Sequence, residues 1–256
     1  MRLPASLMVL AATGALLAAC AHAPPASDPE ALAEDRQTND PLEPTNRVFY
    51  RVNDTLDTYI LAPVARGYRY VVPGAVRTPV HNVLVNITSP VLLANDVLEA
   101  KPRRAGDTFM RFLINTTVGG AGLFDVASGW GYPAHDADFG LTLAVWGWGG
   151  DGGPFLFLPV LGPSDPRDAT GFAGDIVLDP FTWASFGGSK TLGYSRYGLG
   201  AVDARERVLD QVDQIKKTAL DPYATFRSLY RQHRRSQVDE TRGDDAATVP
   251  AWFNHQ

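Results

Sequence analysis

The segment FGLTLAVWGWGGDGGPFLFLPVLGP, Phe139 to Pro163, has 25 residues, of which only Asp151 is charged. A bilayer crossing requires about 20 apolar residues, so the segment is long enough. Its seven glycines and three prolines, however, interrupt any regular helix. The pattern predicts two short apolar arms, Leu141–Trp146 and Phe155–Leu161, joined by a hairpin tip.

Two interpretations of this hairpin stay open from the segment alone. It is either a buried hairpin in a soluble core or a non-spanning segment inserted at membrane depth. Irregular backbone is tolerated at that depth only against protein or a water-filled cavity.

The hairpin tip contains the candidate hinge residues. Glycine adopts backbone angles that are closed to other residues. A single tight turn needs only about one or two such positions, so this density predicts movement of the tip between fixed arms. The hinge residues are Gly147, Gly149, Gly150, Asp151, Gly152 and Gly153.

The N-terminus indicates the cellular compartment. Residues 1–19 have a positive start and a short apolar run, as a signal peptide does. The run ends in LAAC, which resembles a bacterial lipobox, so Cys20 is the predicted lipid attachment site. An ordinary secretory signal with an incidental cysteine is the alternative. Ala21 favours an outer-membrane address, and residues 20–38 are a proline-rich, flexible tether.

Composition limits the remaining possibilities. A chain of 256 residues with 45% apolar content supports one domain with a sizeable core. The formal net charge of −5 argues against binding to nucleic acid. Cys20 is the single cysteine, which excludes an intrachain disulfide. We place the helical domain at 39–235 and a disordered tail at 236–256.

The predicted helices begin with an amphipathic segment in Asn39–Pro63, capped by Thr45 or Asn46. Its apolar face either packs on a core or lies in a membrane interface. The face consists of Val48, Val52, Leu56, Tyr59 and Ile60.

Further helices follow from capping residues and apolar periodicity. Thr78-Pro79 and Ser89-Pro90 predict two helix starts, and Val202–Leu220 predicts a single helix. Asp221-Pro222 starts a last helix. That helix ends in Arg231, Arg234 and Arg235, which we interpret as solvated cations at a helix C-terminus.

Catalytic and metal-binding signals are weak. No complete nucleophile elbow or kinase motif is present. His135 with Asp136 and Asp138 fits either a metal site or a polar loop, and the absence of a nearby second His or Cys favours the loop. We therefore expect neither an enzyme nor a cofactor.

Several short motifs between Asn39 and about Arg235 together resemble the MlaA (VacJ) family of outer-membrane lipoproteins. The resemblance also relies on the lipobox. The motifs are NDPLE from Asn39, RFLINTTVG from Arg111, LFDVA from Leu123, DFG from Asp138, PFLFLP from Pro154, GPSDPRD from Gly162 and DPY from Asp221.

The resemblance implies an all-α ring of amphipathic helices in the inner leaflet of the outer membrane, around a central amphipathic pore. It thereby favours membrane insertion of the hairpin. The implied activity is retrograde transport of misplaced phospholipid from the outer leaflet to the periplasmic carrier MlaC. The implied partners are phospholipid, a trimeric outer-membrane porin and MlaC. The alternative functions are an outer-membrane phospholipase and a non-catalytic envelope scaffold.

Charged residues near the hairpin are candidates for the pore lining. Besides Asp151, they are Arg111, Asp125 and Asp138. An ordinary salt-bridge or helix-capping role is the alternative for each of them, and it is slightly favoured for any single residue.

Overall fold

The computed structural model describes residues 38–148, 152–185 and 187–243. In these ranges the chain is mainly helical, with one short antiparallel hairpin that pairs Leu156 with Ser164. The predicted all-α class is confirmed. The elements are α1 (Glu43–Leu56), a π-helical turn (Asp57–Leu61), α2 (Ala62–Val71), α3 (Gly74–Leu98), α4 (Pro102–Thr117), α5 (Val126–Gly129), α6 (Phe139–Val145), β1 (Leu156–Leu158), β2 (Gly162–Ser164), α7 (Pro166–Leu178), α8 (Pro180–Trp183), α9 (Ser189–Arg207), α10 (Leu209–Thr218) and α11 (Pro222–Gly243).

The first helical segment presents its apolar face outward. α1, the π turn and α2 run without interruption from Glu43 to Val71. Val48, Tyr59 and Ile60 on the predicted apolar face are 47%, 78% and 59% exposed. The polar side of this helix instead contacts the protein, where Asp57 accepts hydrogen bonds from Arg205 and Lys216.

The predicted cap of this segment is wrong. The helix begins at Glu43, and neither Thr45 nor Asn46 lies at its N-terminus. Asn46 is buried and binds the backbone on either side of Leu156, donating to the Phe155 carbonyl over 2.9 Å and accepting from the Phe157 amide over 2.9 Å.

The two helices predicted from Thr78-Pro79 and Ser89-Pro90 form a single 25-residue helix, α3. The hydroxyls do not cap new helices. Thr78 donates to the carbonyl of Gly74, and Ser89 donates to that of Val85, both one turn back. A serine or threonine inside a helix bonds to the preceding turn in this way, so the Thr-Pro and Ser-Pro pairs lie within the helix rather than at its start.

Two other predicted boundaries also differ from the structure. The helix predicted over Val202–Leu220 is broken at Val208, whose backbone leaves the helical region between α9 and α10. α11 starts at Pro222 as predicted, but it continues to Gly243, past the expected start of the disordered tail at 236. Val238 and Thr241 are buried in this extension, which explains why it is ordered.

The two arms of the Phe139–Pro163 segment do not pair with each other in the described residues. The first arm is the helix α6, packed against α7 and α11. The second arm is the strand β1, which pairs with β2 instead. Phe155 and Phe157 of this arm pack with Tyr223 in an aromatic core, with the Phe155 and Tyr223 ring centroids 6.0 Å apart.

The interior is rich in polar side chains and the surface is rich in large apolar ones, which is unusual for a soluble protein. Among the described residues, 21 polar or charged residues are buried but only 13 apolar residues are. At the same time, 33 large apolar side chains are exposed. Within the described ranges, no helix combines the length and apolar composition that crossing a bilayer requires.

Candidate functional site

An ion-paired cluster joins α6, α7 and α11 in the polar interior. Arg234 of α11 donates to Asp138 through Nη1 over 2.7 Å and to Asp168 through Nη2 over 2.7 Å. Tyr230, one turn earlier on α11, donates to the other oxygen of Asp168 over 2.6 Å. Three helices that are distant in sequence are thereby held at one point.

Both carboxylates of this cluster are held in place by features of the local sequence. Asp138 caps α6 by accepting from the Leu141 amide over 2.9 Å, which is the usual role of aspartate at a helix start. Gly140 and Gly171 let α6 and α7 approach closely, because a Cβ on Gly171 would lie 2.4 Å from the Gly140 nitrogen. Asp168 lies in the first turn of α7 and faces this contact.

The ion pairs of the cluster fix its charges. Burial opposes charge on Arg234, but its hydrogen bonds with Asp138 and Asp168 outweigh burial and raise the pKa of this guanidinium. Burial likewise opposes charge on Asp168, yet Arg234 and Tyr230 lower the pKa of its carboxyl. At Asp175, burial outweighs the hydrogen bonds from Asn95 and from the Phe139 amide, and raises the pKa of this carboxyl to about 6.

Two cavities adjoin this cluster. The first, which we call the polar chamber, has a volume of about 480 Å³. The second, the apolar chamber, has a volume of about 410 Å³. Phe172 and Asp175 line both, so the two chambers are neighbours on α7. The polar side chains that line the first are Asp138, Ser164, Asp168, Asp175, Tyr230, His233, Arg234 and Gln237, and they lie beside Leu158, Leu161, Pro163, Ala169 and Phe172. The apolar lining of the second is Leu84, Val91, Leu92, Ala137, Phe172 and Ile176.

The apolar chamber has a charged edge on α9. Arg196 lies over the rings of Phe181 and Tyr197, with centroid distances of 4.8 and 4.7 Å, and forms an ion pair with Asp179. Arg196 and Asp179 are both buried. The two chambers together therefore offer charged, hydroxyl and aliphatic surfaces next to one another, as an amphiphile requires.

The three charged pore-lining candidates lie in two places. Asp138 lines the polar chamber. Arg111 and Asp125 form a separate cluster, 3.0 Å apart, in which Arg111 also donates to the Tyr132 carbonyl over 2.7 Å. Hydrogen bonds from Ser128, Asn115 and Arg111 outweigh burial and lower the pKa of Asp125 to about 2. All three residues have capping or ion-pair contacts, and a pore-lining role for them stays a prediction.

The described glycines of the predicted hinge differ in their surroundings. Gly152 has a φ of +81°, and a Cβ there would lie 2.0 Å from the Asp165 carboxylate, so this position is closely packed. Gly147 has a φ of +101° and open space around it. Gly149, Gly150 and Asp151, like Cys20, lie outside the described residues, and the hinge stays a prediction.

Sequence reasoning missed the role of Arg234. We interpreted it as a solvated cation at the end of α11, but it is the central donor of the ion-paired cluster. The signal was present in the spacing, because Arg234 follows Tyr230 and Phe226 on the inward face at intervals of one turn. A cation that continues an apolar stripe faces the interior and requires a partner there.

The histidine-containing candidate also has a structural role. His135 lies 2.9 Å from Asp96 and 3.3 Å from the Thr108 hydroxyl, in a buried polar contact. Across the ranges that the structure describes, no three His, Cys, Asp or Glu side chains are grouped so as to hold a metal ion.

The family model for MlaA lipoproteins matches residues 38–237 of the chain. A relative from Haemophilus influenzae, named intermembrane phospholipid transport system lipoprotein MlaA, is 34% identical over 206 residues, which cover 80% of this chain and 81% of the relative. The protein of the same name from Escherichia coli is 32% identical over 199 residues, covering 76% of each chain.

A solved structure shares the fold. It is described as "Structural basis for maintenance of bacterial outer membrane lipid asymmetry" and superposes with a TM-score of 0.66 at 30% identity. The match covers 78% of this chain and 98% of the solved one.

Proposed function

Because this chain belongs to the MlaA lipoprotein family, we propose that it transports phospholipid from the outer membrane to the periplasm. In this proposal it is anchored through Cys20 and takes misplaced phospholipid from the outer leaflet. It then passes the lipid to a periplasmic carrier, in the retrograde direction that maintains lipid asymmetry. The names of the relatives support phospholipid as the cargo.

The observation that carries the proposal is the combination of an interior rich in polar side chains and a surface rich in large apolar ones. In water, exposed apolar groups cost about 25 cal/mol per Å², so a surface with 33 large exposed apolar side chains is suited to lipid instead. We propose that this exposed apolar surface is inserted into one leaflet, as the apolar faces of amphipathic helices are. The exposed face of α1 and α2 supplies much of this contact.

The two chambers support the cargo assignment. Exposing two acyl chains to water costs on the order of 20 kcal/mol, since each CH₂ contributes about 0.8 kcal/mol. A transporter must therefore shelter the chains while keeping the headgroup in a polar environment. The adjoining polar and apolar chambers on α7 meet both needs, and we propose that they form part of the lipid path.

The partners and the direction of phospholipid transport are suggested by the family, and we propose them for this chain. A trimeric porin would hold the embedded ring of helices in place. The carrier MlaC would accept the lipid at the periplasmic side, because a lipid cannot cross the aqueous space without shelter. Neither role requires bond cleavage.

Two glycines of α9 allow a matched test of the lipid path. Gly200 lines the apolar chamber, whereas Gly198 is exposed and lies on the same helix. A Cβ at either position meets nothing within 4 Å, so both accept a side chain without backbone strain. We expect Gly200→Trp to obstruct the apolar chamber and Gly198→Trp to leave it open.

The measurement is transfer of labelled phospholipid from liposomes that contain the full-length lipoprotein and a porin to purified carrier. Transfer should fall at least about tenfold for Gly200→Trp and stay at the wild-type rate for Gly198→Trp, with both variants incorporated equally. Equal transfer by both variants would exclude the apolar chamber from the path. New lysophospholipid or fatty acid would identify a phospholipase, and absence of any transfer by the wild type would favour a scaffold.

A further inference from the structure

A third cavity, which we call the basic cavity, lies between α11 and the start of α7. Its volume is about 180 Å³. Among the described residues that line it, arginines outnumber carboxylates by five to two, the carboxylates being Asp165 and Asp239. Tyr230 and Arg234 also line the polar chamber, so the two cavities adjoin. The five arginines are Arg167, Arg231, Arg234, Arg235 and Arg242.

Arg167 has a buried donor that the described chain leaves unused. The residue is 1% exposed, and its Nε donates to Asp168 over 3.1 Å. Its Nη2 lies 3.6 Å from Asp165. Its Nη1 is buried without a hydrogen-bond partner among the described residues. A buried charged donor without a partner costs several kcal/mol as an order of magnitude, so an acceptor in the cavity would be strongly favoured.

The other arginines determine which acceptor fits. Arg234 is committed to Asp138 and Asp168. Arg242 donates to the Ala144 carbonyl over 2.8 Å and forms no ion pair with a described carboxylate. Arg167 and Arg242 both line this cavity and thus offer it two guanidinium charges. Guanidinium groups bind phosphate through paired N–H donors, which a smaller monatomic anion does not match.

The cavity also lies at the N-terminal end of α7, a helix of 13 residues. Helix N-termini carry partial positive charge and attract anions. The Asp165 carboxylate already accepts from the Asp168 amide over 2.7 Å, so this amide is not available to an anion and the arginines supply the main contact.

We propose that the basic cavity binds a phosphate group, carried by a phospholipid headgroup or present as free inorganic phosphate. The lipid source rests on the transport function proposed above, because the cavity adjoins the polar chamber. Arg167 and Arg242 are the principal ligands. Phosphate binding by itself does not depend on transport.

The test uses three probes on the full-length lipoprotein in a phosphate-free, non-ionic detergent. The probes are inorganic phosphate, dihexanoylphosphatidylglycerol and dihexanoylglycerol, with ionic strength held constant by chloride. Affinity is measured by calorimetry, and thermal stabilisation provides a second readout. The first two probes should bind, and dihexanoylglycerol, which lacks phosphate, should not bind in the basic cavity.

Three substitutions locate the site. Loss of one charge-assisted contact should weaken binding about tenfold in Arg167→Gln and in Arg242→Gln. Arg66→Gln is the control, because Arg66 is 54% exposed at its side chain and pairs with Asp213, outside the cavity. Arg167 is buried, so its substitution also disturbs packing. If Arg167→Gln does not fold, the result for the more peripheral Arg242→Gln decides whether the proposal holds.

Each outcome is decisive. If inorganic phosphate and the phospholipid both bind and both depend on Arg242, the cavity is a general phosphate site. If only the phospholipid binds in an Arg242-dependent manner, the cavity is a site for the lipid headgroup. Unchanged affinity in Arg242→Gln, equal binding of dihexanoylglycerol or no binding of either phosphate probe overturns the proposal. Arg242-dependent binding without lipid transfer would leave the site in place and count against the transport function.

Discussion

Substitution of Asn46 by alanine should release the second arm of the Phe139–Pro163 segment from the helix α1. The Asn46 amide donates to the Phe155 carbonyl over 2.9 Å and to Asp40 over 2.8 Å. Its oxygen accepts from the Phe157 amide over 2.9 Å. All three hydrogen bonds are buried, and Asn46 itself is 2% exposed.

The magnitude follows from these three contacts. Each buried hydrogen bond contributes about 1 kcal/mol net, and alanine leaves the backbone groups of Phe155 and Phe157 without that partner. We therefore expect Asn46→Ala to lower the free energy of unfolding by about 3 kcal/mol. Asn82→Ala is the matched control, because Asn82 makes one exposed hydrogen bond, to the Leu123 carbonyl over 3.0 Å. The control should lose less than about 0.5 kcal/mol.

Urea unfolding in detergent measures the stability, and hydrogen exchange at the Phe157 amide measures the local release. Exchange there should accelerate on the order of a hundredfold in Asn46→Ala, if about 3 kcal/mol is lost locally. A loss below about 1 kcal/mol together with wild-type exchange at Phe157 would refute the conclusion that Asn46 holds this arm.

Glu99→Gln should flatten the pH dependence of stability, because burial and the neighbouring Asp96 raise the pKa of Glu99 to about 7 from 4.5. The folded state therefore holds a proton that the unfolded chain releases, and stability falls as the pH rises through this window. Urea titrations should show that the variant gains about 3 kcal/mol relative to wild type between about pH 4 and pH 8, and parallel curves would contradict this. Cys20→Ala should lose acylation and outer-membrane fractionation, as measured by mass spectrometry and membrane separation, whereas normal fractionation would argue against the lipobox. The double substitution Gly149→Val with Gly150→Val should restrict the tip, because β-branched residues disfavour positive φ. The variant should reach the membrane but change the level of outer-leaflet phospholipid, read through surface acylation of lipid A, and unchanged asymmetry would argue against a hinge.

Helix positions were largely predictable from sequence, but helix boundaries depended on contacts that sequence does not display. Periodicity in Asn39–Pro63 located the segment that forms α1 and the π-helical turn, and Asp221-Pro222 located the start of α11. The boundary errors at Ser89-Pro90 and at Val208 arise from such contacts. A hydroxyl before proline fits a helix cap and a helix interior equally well, and tertiary contacts determine which one forms.

The candidate site was predictable only in part. Asp138 was selected because it is a charge next to an apolar segment, and it does line the polar chamber. Its partner Arg234 lies 96 residues away, and Asp168, which shares that arginine, lies 30 residues away, so local pattern connects neither of them with Asp138. Arg111 and Asp125 satisfied the same criterion as Asp138 but pair with each other instead.

The orientation of the helices was the least accessible feature, and it is the one on which the function depends. An amphipathic pattern defines an apolar and a polar face but does not indicate which of them contacts the protein. The period of 3.6 residues is the same whether the apolar face points inward or outward. The motif around Asn39 and Asn46 resolves this for α1. Asn39 and Asn46 reach across to Gly153 and Phe155, and therefore turn the polar face of the helix inward. Val48, Val52 and Ile60 on the other face are then exposed, at 47%, 45% and 59%. Polar side chains that must bind a distant segment thus determine the orientation of the helix, and an apolar exterior suited to a lipid leaflet follows from their placement.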